Sequence, residues 1–212
     1  MGTPASPLTL AHWRRTVAAL YADVRAHAAS DPAGAAARFR AERDRLFAEH
    51  ADTPIPRARR AGWRGSRWYP YDPAWRTIAT VIPEVTGADA SFEIPLAADG
   101  AVRCTRFATA AFAVKGREAS LPLYWFEGYG GGLWLPFTDA TSGAQTYGGG
   151  RYLYDTIKGA DLGTEPQRLV LDFNFAYNPS CAYDEHWSCP LAPPGSRLPF
   201  AVEAGEKSPA YD

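Results

Sequence analysis

No run of apolar residues approaches the roughly 20 that a membrane-spanning helix needs. The first residues also lack the basic stretch and continuous apolar core of a secretory signal. A cytoplasmic protein with no membrane partner is therefore expected. Residues 1–6 fit a short myristoylation pattern, one so loose that it recurs by chance. An excess of one charge is missing too: 22 Lys and Arg stand against 23 Asp and Glu, a net charge of −1. No whole-molecule field draws the chain to nucleic acid or anionic lipid. Gly-x-Ser-x-Gly, Gly-x-Gly-x-x-Gly and His-Glu-x-x-His are all absent. That removes the motif-based case for an α/β-hydrolase, a dinucleotide fold or a zinc protease. Cysteine and histidine are scarce, at three and four residues, which leaves little for metal or triad chemistry.

What is present reads as a globular chain of 212 residues, 46% hydrophobic and 21% charged. Residues 9–28 repeat apolar side chains at helical spacing: Leu10, Trp13, Val17, Leu20, Tyr21 and Val24. Asp31-Pro32 then starts a second helix, expected to run to about Glu49. One face of it carries Arg38, Arg40, Glu42, Arg43, Asp44 and Arg45, and reads as solvated. A proline-rich connector comes next. Its Arg57, Arg59, Arg60, Arg64 and Arg67 interleave with Trp63 and Trp68. This is a pattern shared by single-strand nucleic-acid binders and by packed connectors. With no basic balance overall, the connector reading is preferred and no nucleic-acid partner is expected.

From Arg76 onward the pattern is β. Strands are expected over 77–82, 91–96, 101–115, 119–126, 131–137, 151–158, 168–176 and 199–204, with turns at Asp99-Gly100 and Lys115-Gly116. No helical pattern intervenes, so parallel crossovers are not expected. The expected fold class is α+β: two N-terminal helices packed on a strongly curved antiparallel sheet or small barrel. Residues 1–52 form the helical segment and 53–212 the β-rich domain, together one compact unit.

Two stretches concentrate unusual polar residues. Around Gly148-Gly149-Gly150 stand Thr146, Tyr147 and Arg151. The glycines permit either a bulged hairpin or a close approach to a ligand. No helix opens after them, so this is not a phosphate loop. In the strand expected at 168–176, Leu169, Leu171, Phe173 and Phe175 share one face, and Asp172 and Asn174 the other. Asn178-Pro179 then breaks it into a loop holding Cys181, His186 and Cys189. The Cys-x₄-His-x₂-Cys spacing matches no common zinc pattern, so no metal is assigned. A Cys181–Cys189 disulfide, or two reduced cysteines packed together, is preferred.

Thr146-Tyr-Gly-Gly-Gly-Arg-Tyr-Leu153, Leu171-Asp-Phe-Asn-Phe-Ala-Tyr-Asn-Pro-Ser-Cys-Ala-Tyr183, Cys189-Pro-Leu-Ala-Pro-Pro194 and Val202-Glu-Ala-Gly-Glu206 resemble a bacterial and archaeal family known only as domain of unknown function 1684. Trp68-Tyr-Pro-Tyr-Asp-Pro-Ala-Trp-Arg76 is similar to that family's entry into its sheet. The resemblance covers roughly residues 50–206. It implies that both loop cysteines recur and that His186 does not, against a Cys–His catalytic pair or a His-ligated metal. It implies no activity.

The resulting expectation is a small-molecule-binding barrel, monomeric or homodimeric, with no cofactor. Its pocket would combine Thr146, Tyr147, Gly149, Gly150 and Arg151 with Asp172, Asn174, Tyr177, Asn178 and Tyr183. Arg151 would hold an anionic group and pair with Asp172, the acid/base candidate in a cofactor-independent enzyme. The alternatives are a binding or interaction module without catalysis and, by fold analogy alone, a flavin- or haem-binding split barrel.

Overall fold

The computed structural model describes residues 6–84, 90–96 and 100–210. Met1 to Ala5 of the myristoylation pattern, and Asp99 of the expected turn, lie outside them. Helix α1 (Pro7–His27) begins at a reciprocal cap. The Ser6 hydroxyl accepts from Thr9 N at 3.1 Å, and Thr9 Oγ1 accepts from Ser6 N at 2.9 Å. Pro7 sits in the first turn, where its missing N–H has no intrahelical partner to lose. In α2 (Pro32–Glu49) the Asp31 side chain accepts from Gly34 N at 3.0 Å. Both helices lie where the apolar spacing placed them. No helix among the described residues is long and apolar enough to cross a membrane.

The eight strands are β1 (Arg76–Pro83), β2 (Ser91–Pro95), β3 (Ala101–Val114), β4 (Arg117–Phe126), β5 (Gly132–Phe137), β6 (Arg151–Asp155), β7 (Thr164–Glu165) and β8 (Arg168–Asp172). They build one strongly curled antiparallel half-barrel in the order β6-β5-β4-β3-β1-β8-β7, with β2 beside the first half of β3. Lys115 and Gly116 join β3 to β4 with φ of +50° and +73°, the conformation a tight hairpin turn requires.

Curvature comes from bulges. Between Arg106 and Ala108 the β3–β4 register shifts by one residue. An extra residue bends a strand and turns the rest of that strand to the opposite face. Cys104, opposite Phe126, thus packs with Ile94, Tyr124 and Trp134 in a smaller cluster. Ala108, opposite Leu123, faces the main core with Ala110, Phe112 and Val114. A second shift, between Leu135 and Pro136, bends β5 against β6.

Three expected strand bounds are corrected. β8 stops at Asp172, because that side chain accepts from Asn174 N at 3.0 Å and starts a 3₁₀ turn, Phe173–Phe175. β6 stops at Asp155 by the same device, with the turn Thr156–Lys158 after it. Residues 199–204 form no strand; they run as a strap, with Leu198 N donating to Thr138 O at 2.9 Å. The short β7, pairing with β8, lies where the sequence pattern places no strand.

The helices close the concave face. Phe39 of α2 is 2% exposed and meets Tyr21 of α1, Trp68 of the connector and Phe175 edge-on, at centroid distances of 5.2, 6.1 and 5.2 Å. Trp63 is likewise buried, against Phe47 and Tyr183. One ring thus ties both helices and the connector to the sheet. Phe39→Ala is expected to cost about 3–5 kcal/mol and to lower the melting of helices and sheet together in one transition. Urea unfolding monitored by far-UV and tryptophan signals checks this. Separate transitions would show that the helices and sheet fold independently.

Candidate functional site

The residues expected to share one pocket lie in three places. The first is a brace at the start of β6. Arg151 is 1% exposed. Its Nη2 donates to Asp139 Oδ2 at 2.6 Å and Val202 O at 3.0 Å, and its Nη1 to Glu206 O at 3.3 Å and to Ala204 O. The guanidinium is consumed by one carboxylate and three carbonyls of the strap. Asp139 Oδ1 meanwhile accepts from Thr141 N and Oγ1, and Thr141 Oγ1 meets Thr146 Oγ1 at 2.8 Å. Thr146 is fully buried. Gly150 has a φ of +93°, and a Cβ there would lie 2.7 Å from Phe137 O. That glycine serves backbone packing. Gly149 sits against the Tyr147 ring and Leu191.

The second place is the end of β8. Asp172 lies opposite Arg76 across the β1–β8 ladder, Oδ2 to Nε at 4.0 Å. The expected Arg151–Asp172 pair is therefore replaced by two separate pairs, Arg151–Asp139 and Arg76–Asp172. Asp172 Oδ1 accepts from Asn174 N at 3.0 Å and Asn174 Nδ2 at 2.8 Å. Asn174 in turn bonds both backbone groups of Asp72, at 3.0 and 2.8 Å. It is fully buried and latches the proline-rich connector to the sheet. Beside Asp172 lies a gap of only about 10 Å³, walled by Val24, Leu162 and Phe175, at the lower limit for one water. Burial pushes the Asp172 carboxyl above its usual range. Bonds from Asn174 and the charges of Arg76 and Arg40 pull it back.

The third place is a cleft between the helices and the sheet, of about 50 Å³. Trp13, Val17 and Tyr21 of α1, Arg43 and Phe47 of α2, Tyr152 of β6, and Lys158 line it, with residues 177–180 and Tyr183 along one wall. Of the expected set, Tyr177, Asn178 and Tyr183 are here. Three of the lining residues are tied together by Glu206, 1% exposed. Its Oε2 accepts from Arg43 Nη2 at 3.0 Å and Asn178 N at 2.8 Å, and its Oε1 accepts the Tyr183 hydroxyl. Asn178 Nδ2 donates to Lys207 O at 2.7 Å. Arg43 lies over the Phe47 and Tyr177 rings, at 4.2 and 5.3 Å. The expectation that α2's arginine face is solvated thus fails at Arg43, 8% exposed. Helical periodicity placed it among surface charges, and the Glu206 side chain, far along the sequence, accompanies it into the interior.

Next to the cleft wall, Cys181 and Cys189 are thiols, with Cys181 N donating to Cys189 Sγ at 3.3 Å. The Tyr147 hydroxyl donates to Cys181 Sγ at 3.6 Å. His186 is exposed, its N–H bonded to Asp184. No group of metal-ligating side chains forms among the described residues.

A family model described as protein of unknown function (DUF1684) matches residues 61–207. The chain is also similar to the solution NMR structure of an uncharacterized protein of Haloarcula marismortui. The two are 36% identical over 81% of this chain and 91% of that one, with a TM-score of 0.56. No curated protein matches. The family match takes in Glu206 and residues 177–183 of the cleft, whereas Arg43 and α1 precede it.

Two predictions rest on these braces. Asp139→Ala leaves the Arg151 charge buried without its carboxylate and is expected to cost about 3–5 kcal/mol, measured by urea denaturation. For Asp172 the folded-state pKa lies above the unfolded value of about 3.9. The stability it contributes is complete below that value and is lost as pH rises through the folded pKa. Asp172→Asn keeps an acceptor for both Asn174 bonds and escapes that loss. Its melting temperature should therefore gain on wild type between pH 4 and pH 7. A relative loss over that interval would show Asp172 to be stabilising as an anion.

Proposed function

This chain belongs to the DUF1684 family, and we propose that it is a small-molecule-binding protein whose site is the cleft between the helices and the sheet. One observation carries the reading. Tyr21 Oη, Arg43 Nε and Asn178 Oδ1 are buried without a protein partner, and all three residues line the same opening. A buried polar atom left unpaired costs about 1–3 kcal/mol. Three such atoms around one opening are accounted for by an occupant that supplies their partners.

The donor set defines that occupant. Burial pushes the Tyr21 phenol well above its ordinary range, so it stays neutral and donates. The Arg43 Nε–H also donates, and Asn178 Oδ1 accepts. Lys158, with a side chain 39% exposed, adds positive charge shared with Asp155 Oδ2 at 3.5 Å. A carboxamide head offers an oxygen to the donors and an N–H to Asn178, whereas a carboxylate satisfies the donors alone. The volume admits such a head and leaves the rest of the molecule against the Trp13 and Phe47 rings. For a carboxylate ligand the positive charge would come from Arg43 and Lys158 rather than from Arg151.

Binding without catalysis is the preferred form. The Glu206 carboxylate behind the lining residues already accepts three hydrogen bonds, so it is not free to act as an acid or base. Asp172 belongs to another part of the molecule. A flavin or haem needs a pocket of several hundred Å³, against about 50 Å³ here.

Tyr21→Phe separates binding from structure. Because its hydroxyl has no protein partner, the variant should match wild type in stability or exceed it by about 1 kcal/mol. Titration with acetamide or acetate should move the Trp13 indole N–H resonance in wild type, and Tyr21→Phe should weaken the response at least about tenfold (about 1.4 kcal/mol). An unmoved Trp13 signal in wild type would sink the site.

A further inference from the structure

Beside the cleft, but independent of whether it holds a ligand, Cys181 and Cys189 make up a site that the binding reading does not use. Seven residues separate them. Pro179 leads into a 3₁₀ turn, Ser180–Ala182, which presents the Cys181 N–H to Cys189 Sγ at 3.3 Å. The far end of the loop is held where Tyr152, 1% exposed, donates its hydroxyl to Pro190 O. Cys189 is 8% exposed while Cys181 is half-buried under the Tyr147 hydroxyl. The third cysteine, Cys104, is fully buried in the smaller cluster, and burial pushes its thiol up to about 12.

We propose that Cys181 and Cys189 are a reversible two-electron redox couple, with Cys189 the sulfur that reacts first with a hydroperoxide and Cys181 the one that resolves it. The surroundings divide the roles. The Cys181 side chain beside it holds the Cys189 thiol below the usual range. Burial opposes this, and the Lys158 charge and the N–H groups of Cys181 and Ser180 reinforce it. Cys189 and burial push the Cys181 thiol up, so that sulfur keeps its proton.

The Cys189 thiolate attacks one peroxide oxygen. The O–O bond breaks, an alcohol or water leaves with a proton, and Cys189 becomes a sulfenic acid. Cys181 then attacks the Cys189 sulfur, the S–O bond breaks, and water leaves with the Cys181 proton. In sum, the dithiol and one hydroperoxide give a disulfide, an alcohol or water, and a further water. A small thiol reverses the step by exchange. Pro179, Ser180 and Tyr183 belong to the cleft wall, so the bridge tethers that wall to Cys189.

The test treats the full-length protein with one equivalent of hydrogen peroxide, and then applies intact mass and non-reducing peptide mapping. The expected product has lost two hydrogens and links Cys181 to Cys189, with Cys104 unmodified, and dithiothreitol restores the starting mass. Cys181→Ser should stop at a Cys189 sulfenic acid trapped by dimedone. In wild type, the pH midpoint of iodoacetamide alkylation at Cys189 should lie below the roughly 8.5 of a free thiol. No linked peptide would overturn the proposal, as would bridging through Cys104 or a midpoint at or above that of free cysteine. The midpoint and the wild-type map need no variant, so they decide the matter even where Cys181→Ser fails to fold.

Discussion

One buried carboxylate ties the helices to residues 177–183 beside the cleft. Glu206 arrives near the end of the chain and takes hydrogen bonds from Arg43 of α2, from the backbone of Asn178, and from the Tyr183 hydroxyl. A charge this deep is tolerated only with a counter-ion and with its lone pairs occupied. Satisfying it fixes three segments of the chain at once. Without that convergence, the helices would still cover the sheet through Phe39 and Tyr21, but residues 177–183 would meet α2 only through ring contacts such as Phe47–Tyr183. The cleft exists because the ion pair spaces its walls.

The other buried charges obey the same rule. Arg151 is held by Asp139 and the carbonyls of the C-terminal strap. Asp172 ends β8 and, through Asn174, secures the connector. Each stands where a regular strand stops or begins, and each supplies hydrogen bonds that the sheet ladder no longer provides. Carboxylates that cap a 3₁₀ turn do so at Asp72, Asp155 and Asp172. These braces look like active-site residues in the sequence because both roles call for polar groups amid apolar ones.

The cleft and the thiol pair are neighbours by construction. The Ser180–Ala182 turn that points Cys181 N–H at Cys189 also supplies the cleft with Ser180, and Pro179 and Tyr183 flank it. The unpartnered atoms are distinct from the bracing ones even within a residue. Asn178 spends its N–H groups on Glu206 and Lys207 and leaves its side-chain oxygen without a protein partner. Arg43 spends Nη2 on Glu206 and keeps Nε.

Local rules determined a good deal from the sequence alone. The spacing of Leu10, Trp13, Val17, Leu20 and Tyr21, and the Asp31-Pro32 start, defined both helices. Alternation and turn residues defined most strands and their antiparallel sense, since hairpin chemistry is confined to a few neighbouring residues. The polar motifs marked positions that are indeed buried and bonded. Which of them meet was decided only by the tertiary structure. The bulge at residues 106–108 sets which face each half of β3 presents, and the side-chain caps at Asp155 and Asp172 end strands that propensity would prolong. Arg43 and Glu206 are 163 residues apart, and neither carries a local mark of the other. A period of 3.6 can say which residues share a helix face, but what covers that face depends on the closure of the whole chain.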